Sequence, residues 1–239
     1  MKNIFKIHPF TYIITLIFIF IGYFKLYIFF LIILFIHEIG HILSALFFKW
    51  RIKEIIILPM GLLLKFEDNL NKLLIEEAII ASMGIIFQLI FICFIHNKIL
   101  TTCSNIIILF NLLPIFPLDG AKILNILLNK IANFKTSFFL SLFISLITIL
   151  ILISIFIINH ALIFLIVFIP LLINLIDLFC KFNNIFIKFL LERYLYEFRF
   201  KRYKIINNLS KMKRDYNHYF YINNKLYNEK EVLNKYFNK

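Results

Sequence analysis

The chain has 239 residues, 62% of them hydrophobic and only 16% charged, with a formal net charge of +13. A soluble domain carries roughly a quarter charged residues, so this composition excludes an ordinary globular protein. The apolar residues fall in long runs, about as long as a hydrocarbon core of roughly 30 Å requires, and point to a polytopic membrane protein.

The excess positive charge is not spread as a nucleic-acid site would need. Fourteen of the 26 Lys and Arg residues follow residue 180, and most others sit in short loops. Attraction to anionic lipid and the positive-inside rule account for that pattern, and nucleic acid is excluded as a partner. The three cysteines, Cys93, Cys103 and Cys180, are scattered without CxxC spacing and read as isolated thiols beside apolar stretches.

In chain order, six spans are predicted at about 9–24, 26–48, 73–95, 99–116, 138–158 and 161–180. The first has no small-residue cleavage site after it and reads as a span, not a signal peptide. With six spans, 24 basic residues face one side and two, Lys25 and Lys98, the other. Both termini are therefore expected in the cytoplasm. Between the second and third spans, IKEIIILPMGLLLKF holds two short apolar runs around Pro59, Met60 and Gly61, which read as a re-entrant β-hairpin. After residue 180 a basic, aromatic-rich stretch suggests an amphipathic helix along the membrane surface. HYFYINNKLY then suggests a small hairpin turning at Asn223 and Asn224, before a short helix capped near Asn228. The expected fold is an all-α polytopic membrane protein of about six transmembrane helices with a small re-entrant β-hairpin. Residues 1–180 form the six-span domain, and 181–239 a short basic cytoplasmic tail.

The chemistry lies in the second span, where LFIHEIGHILSALFF places His37, Glu38 and His41 mid-helix. Residues four apart share a helix face, so both imidazoles can hold one Zn²⁺ while Glu38, slightly rotated, takes a proton from water. Zinc lowers the pKa of such a water towards 7 and polarises a carbonyl. Gly40 leaves room for close approach of another chain segment. Six His and nine Glu would generate HExxH by chance roughly 0.006 times in this length. Ionisable groups at mid-membrane cost about 3 kcal/mol each unless paired or functional, so a merely polar helix face is the weaker reading.

A catalytic zinc site needs a third protein ligand. The candidates are His96, Asp119, His160 and Asp177. His96 and His160 fall at the far ends of their spans, and Asp177 near the interface beside Asn174. Asp119 lies in FNLLPIFPLDGAKIL, where Pro114, Pro117 and Gly120 are expected to break the helix at membrane depth. The second and fourth spans run in the same direction, which brings Asp119 to a depth similar to the histidines and makes it the better ligand.

HEIGH in a span, followed roughly 70 residues later by N-x-x-P-x-x-P-L-D-G, resembles the site-2 protease family of intramembrane metalloproteases. The opening IHPF, the segment WRIKEIIILPMG and NLLPIFPLDG extend the likeness towards the family's sporulation members, over roughly residues 7–180. The resemblance implies that His37, His41 and Asp119 bind Zn²⁺ and that Glu38 is the general base. It further implies that Asn111 positions substrate, that Pro114 and Pro117 shape the loop presenting Asp119, and that the hairpin at Gly61 receives an unwound substrate as an added strand. Where the family often has Ala-Gly-Pro in the third span, this chain has Met83, Gly84 and Ile85, followed by Gln88. The tail, about 59 residues, is too short for the nucleotide-sensing domain of longer members.

The implied reaction is zinc-assisted hydrolysis of a peptide bond near the cytoplasmic side of the membrane. The implied substrate is a membrane-tethered sporulation sigma-factor precursor, with membrane-protein inhibitors or regulators as further partners. The implied location is the mother-cell membrane around the forespore. A multispan transporter or metal carrier is the alternative; it calls for polar residues through several spans and an internal repeat, and neither is present.

Overall fold

The computed structural model describes all residues except 1–4, 8, 59–60, 67–69, 96, 161–164, 197 and 239. The chain divides into two compact units. The first comprises Met1–Asn69 and Ala78–Leu112, the second Leu70–Glu77 and Leu113–Lys239.

In the first unit, β1 (Phe5–Ile7) leads into α1 (Pro9–Phe20) and α2 (Phe24–Phe47). Gly22, at φ +82°, makes the turn between these helices. The buried residues of α2 include Leu34, His37, Glu38, His41 and Ala45, a stripe at helical spacing; Phe35, Leu43, Leu46 and Phe47 stay exposed. Its histidines thus lie on the face that packs inward. Strands β2 (Ile52–Leu58) and β3 (Gly61–Phe66) pair antiparallel, and β1 adds to β2 in parallel, giving the order β1-β2-β3. The expected turn residues Pro59 and Met60 lie outside the described residues. Helices α3 (Leu74–Phe94) and α4 (Lys98–Asn111) follow. Ile33 and Leu34 of α2 pack with Cys103 and Ile107 of α4.

In the second unit, α5 (Asp119–Ile131), α6 (Phe134–Ile158), α7 (Leu165–Cys180) and α8 (Phe182–Leu195) succeed one another. Ser137, Ser141 and Ser145 are fully buried along one face of α6. Ser145 Oγ accepts from the Phe116 N–H at 3.4 Å and so supports the loop before α5. After α8 come β4 (Arg202–Ile206), β5 (Tyr216–Ile222), β6 (Lys225–Asn228) and α9 (Glu229–Phe237). Strands β4 and β5 run parallel, while β5 and β6 form a hairpin in which Asn223 and Asn224 both adopt positive φ. A capping box on Asn228 and Glu231 opens α9.

Two expectations are met in part. The protein is mostly helical but not all-α, because the parallel strands β1 and β4 extend each hairpin to a three-stranded sheet. Among the described residues three helices, Phe24–Phe47, Leu74–Phe94 and Phe134–Ile158, are long and apolar enough to span a bilayer. A fourth span is counted if the 59° bend between Phe168–Cys180 and Phe182–Leu195 is taken within one. The expected fourth span, 99–116, is a 14-residue helix ending at Asn111. At 1.5 Å per residue it reaches about 21 Å, because the approach to Pro114 and Pro117 removes the last turn. Gly120 does not break a helix but sits buried in the first turn of α5.

The aromatic face of α8 is spent inside the protein. Phe189 and Leu190 are fully buried with Phe134, Ile206, Met212, Phe220 and Leu233. Arg193 lies 5.1 Å from the ring centroids of both Phe189 and Phe200, and donates to Glu229 at 3.0 Å. Beside it His218 Nδ1 meets Glu229 Oε2 at 3.1 Å. Burial holds the His218 imidazole below its ordinary 6.5, against the pull of Glu229. Burial alone would raise Glu229, but His218 and Arg193 hold it below its ordinary 4.5. Both shifts favour the unfolded state as protons are added: stability is lost first as pH falls below 6.5, then further as it falls below 4.5. Asp215 shifts the other way, raised above 3.8 by burial, so its contribution fades as pH rises through that raised value. Hydrogen exchange of β5 and α9 amides, corrected for intrinsic rates, is therefore expected to show weaker protection at pH 5 than at pH 7.

Candidate metal centre

His37, Glu38 and His41 are 1%, 6% and 4% exposed on α2. Their position follows from the apolar stripe: residues 34, 37, 38, 41 and 45 share one face, and packing that face buries the imidazoles. Gly40 is where α3 comes close, since a Cβ there would collide with the Met83 carbonyl. Gly84 lies against the rings themselves; a Cβ on it would overlap His41 Nε2 and approach His37 Cε1 at 2.8 Å. The glycine retained in the third span is therefore part of the site's walls.

The hydrogen bonds of the two rings determine their tautomers. His41 Nδ1 lies 2.7 Å from the Ile80 carbonyl oxygen, which can only accept. His37 Nδ1 lies 3.0 Å from Gln88 Oε1. Gln88 is oriented by its own amide, whose Nε2 donates to Ser104 at 2.9 Å to the carbonyl and 2.7 Å to Oγ. Each Nδ1 thus carries a proton, and in a neutral imidazole each Nε2 presents a lone pair. Those two Nε2 atoms face one another at 3.1 Å. Opposed lone pairs repel, and a cation between them converts the repulsion into coordination. Nδ1–H held by a carbonyl, with Nε2 as the ligating atom, is the usual support of a metal histidine, so the donor set fits Zn²⁺. Gln88, Ser104 and the Ile80 carbonyl escaped sequence reading. Only Gln88 left a signal, as an amide inside an apolar run.

Asp119 is 4% exposed, at the first residue of α5, where a carboxylate is favoured by the helix N-terminus. Its Oδ1 accepts from Lys122 Nζ at 2.9 Å. Among the described residues the candidate metal ligands are His37, His41 and Asp119, all three buried. The competing candidates are placed elsewhere. Asp177 is half-exposed and paired with Lys181 at 2.6 Å, His160 is exposed in a turn, and His96 lies outside the described residues. Asn111 ends α4; Pro114 and Pro117 occupy the connection to α5, where the Phe116–Pro117 peptide is cis. Gly61 opens β3, paired with Leu58.

Buried metal-type ligands, two of them on a helix long and apolar enough to span a bilayer, define the class: a membrane protein with a candidate metal centre. The chain matches the solved structure of the site-2 protease from Methanocaldococcus jannaschii with a TM-score of 0.55 and 23% identity, over 72% of this chain and 89% of that one. It is also 38% identical over 136 residues to stage IV sporulation protein FB of Bacillus subtilis (strain 168). That match takes in 52% of this chain and 47% of the relative, so the chain spans about half the length of the curated relative it matches. No protein-family model matches the sequence. The structural match shows a shared fold, and the sequence match shows similarity to part of the sporulation protein.

Proposed function

We propose that the chain is an intramembrane zinc metalloprotease that hydrolyses a peptide bond at the cytoplasmic side of the membrane. The observation that carries this reading is the pair of buried imidazoles turned Nε2 to Nε2 with both Nδ1 positions engaged. His37, His41 and Asp119 would hold the ion, which supplies an activated water and polarisation of the scissile carbonyl. Glu38, one residue from His37 and buried, takes the proton from the attacking water and returns it to the departing amine. Asn111 is assigned to substrate positioning, with Pro114 and Pro117 shaping the approach to Asp119. Among the described residues β3 has a strand neighbour on one side only, so an extended substrate could add at the edge that begins with Gly61.

The same reading assigns residues 1–180 to the protease domain and 181–239 to a cytoplasmic tail, with both termini on the basic side. The sporulation name of the relative supports a role in sporulation. With the motif resemblance, the reading takes a membrane-tethered sigma-factor precursor as substrate, membrane-protein regulators as partners and the mother-cell membrane around the forespore as location. The test is reconstitution of the chain with tethered precursors in bilayers, measuring cleavage and zinc content together. Asp119→Asn is expected to weaken zinc retention by roughly 10- to 100-fold and to slow cleavage in parallel. Unchanged zinc affinity in that variant would remove Asp119 from the ligand set.

A further inference from the structure

Lys72 and Leu73 precede helix α3, and neither side chain can accept a hydrogen bond from its first N–H groups. The acceptor comes from far along the chain. The Leu74 N–H faces the Asp215 carboxylate, with both oxygens at 3.3 Å. Neighbouring Arg214, its side chain buried, pairs with Glu77 in the first turn of α3 and donates to the Lys72 carbonyl at 2.8 Å. One turn earlier, Asn71 is 1% exposed and accepts from Arg193 Nε at 2.6 Å. It also donates to the Phe189 carbonyl at 2.9 Å and to Glu192 at 3.0 Å. All these contacts lie within the second unit and hold residues 71–77 to the C-terminal segment.

The same unbroken helix continues to the residues that orient the histidines. Ile80 is less than two turns beyond Leu74, and its carbonyl holds His41; Gly84 gives both rings their space, and Gln88 holds His37. We propose that Asp215 and Arg214 are positioning residues for the metal-ligand pair, acting through the start of α3. The proposal rests on the reading of His37 and His41 as zinc ligands. The C-terminal segment is then part of what aligns the site.

The test uses the full chain in nanodiscs, with zinc affinity measured by chelator competition and the Co²⁺-substituted site followed by its visible absorption. Asp215→Ala is expected to weaken zinc binding by roughly three- to tenfold, near the lower end of losses for outer-shell partners of metal ligands, and to alter the Co²⁺ bands. Asp215→Asn, which keeps an acceptor oxygen for the Leu74 N–H, is expected to restore both. Glu77→Gln, which leaves the C-terminal segment unsubstituted, is expected to give a smaller loss of the same kind. Wild-type affinity and spectrum in Asp215→Ala and Glu77→Gln would overturn the proposal alone. A folded wild-type chain that takes up no zinc would overturn it together with the protease reading.

Discussion

Glu38→Gln is expected to retain zinc at wild-type stoichiometry and to lose cleavage by about 10²–10⁴-fold, the range a positioned general base contributes. Gln has nearly the size of Glu and leaves the packing of a 6% exposed position intact, but it cannot take a proton. Nor does the substitution touch either Nδ1 support, because Ile80 and Gln88 serve the two rings independently of it. Single-turnover cleavage of a tethered substrate, beside metal analysis of the same preparation, separates the two effects. Near-normal cleavage would assign the proton transfer to another group. Loss of zinc would make Glu38 a structural member of the site.

Gly84→Ala is expected to lower zinc affinity by about 100-fold or more, although the substitution adds a single methyl group. A Cβ at this position overlaps His41 Nε2, the atom that ligates, and comes within 2.8 Å of His37 Cε1. The rings cannot simply turn aside, because rotation breaks the bonds to the Ile80 carbonyl and to Gln88. Gln88→Leu removes one support and adds no clash, so its loss is expected nearer tenfold. Chelator competition on the two variants tests the ranking. Equal affinities in Gly84→Ala and wild type would show that the α2–α3 approach relaxes at little cost.

Much of this protein is legible residue by residue. Uninterrupted apolar runs can be satisfied only in lipid or in a core larger than this chain could build. HExxH puts two imidazoles on one helix face, whatever the helix packs against. Asn223 and Asn224 between aromatic runs tolerate positive φ, and Asn228 with Glu231 spells a capping box; both effects act within a few residues. The helix from Asp119 was harder to see. Gly120 beside two prolines reads locally as a breaker, yet Asp119 at the helix start and the buried stripe Ala121, Asn125, Ile126 and Asn129 stabilise the helix through its packed face.

Sequence alone determined that the chain enters a membrane, that one of its helices carries a metal-type motif, and which carboxylates compete for the third place, since these follow from composition and from fixed helical spacing. Tertiary structure decided the rest. Which imidazole nitrogen carries the proton depends on Ile80, Gln88 and Ser104, at 39, 51 and 67 positions from their respective histidines along the chain. The parallel additions of β1 and β4 are likewise non-local pairings, with no periodicity of their own to announce them. Hydrogen-bond direction and ring clearance are properties of pairs of atoms brought together by packing, and no single residue's propensity encodes them.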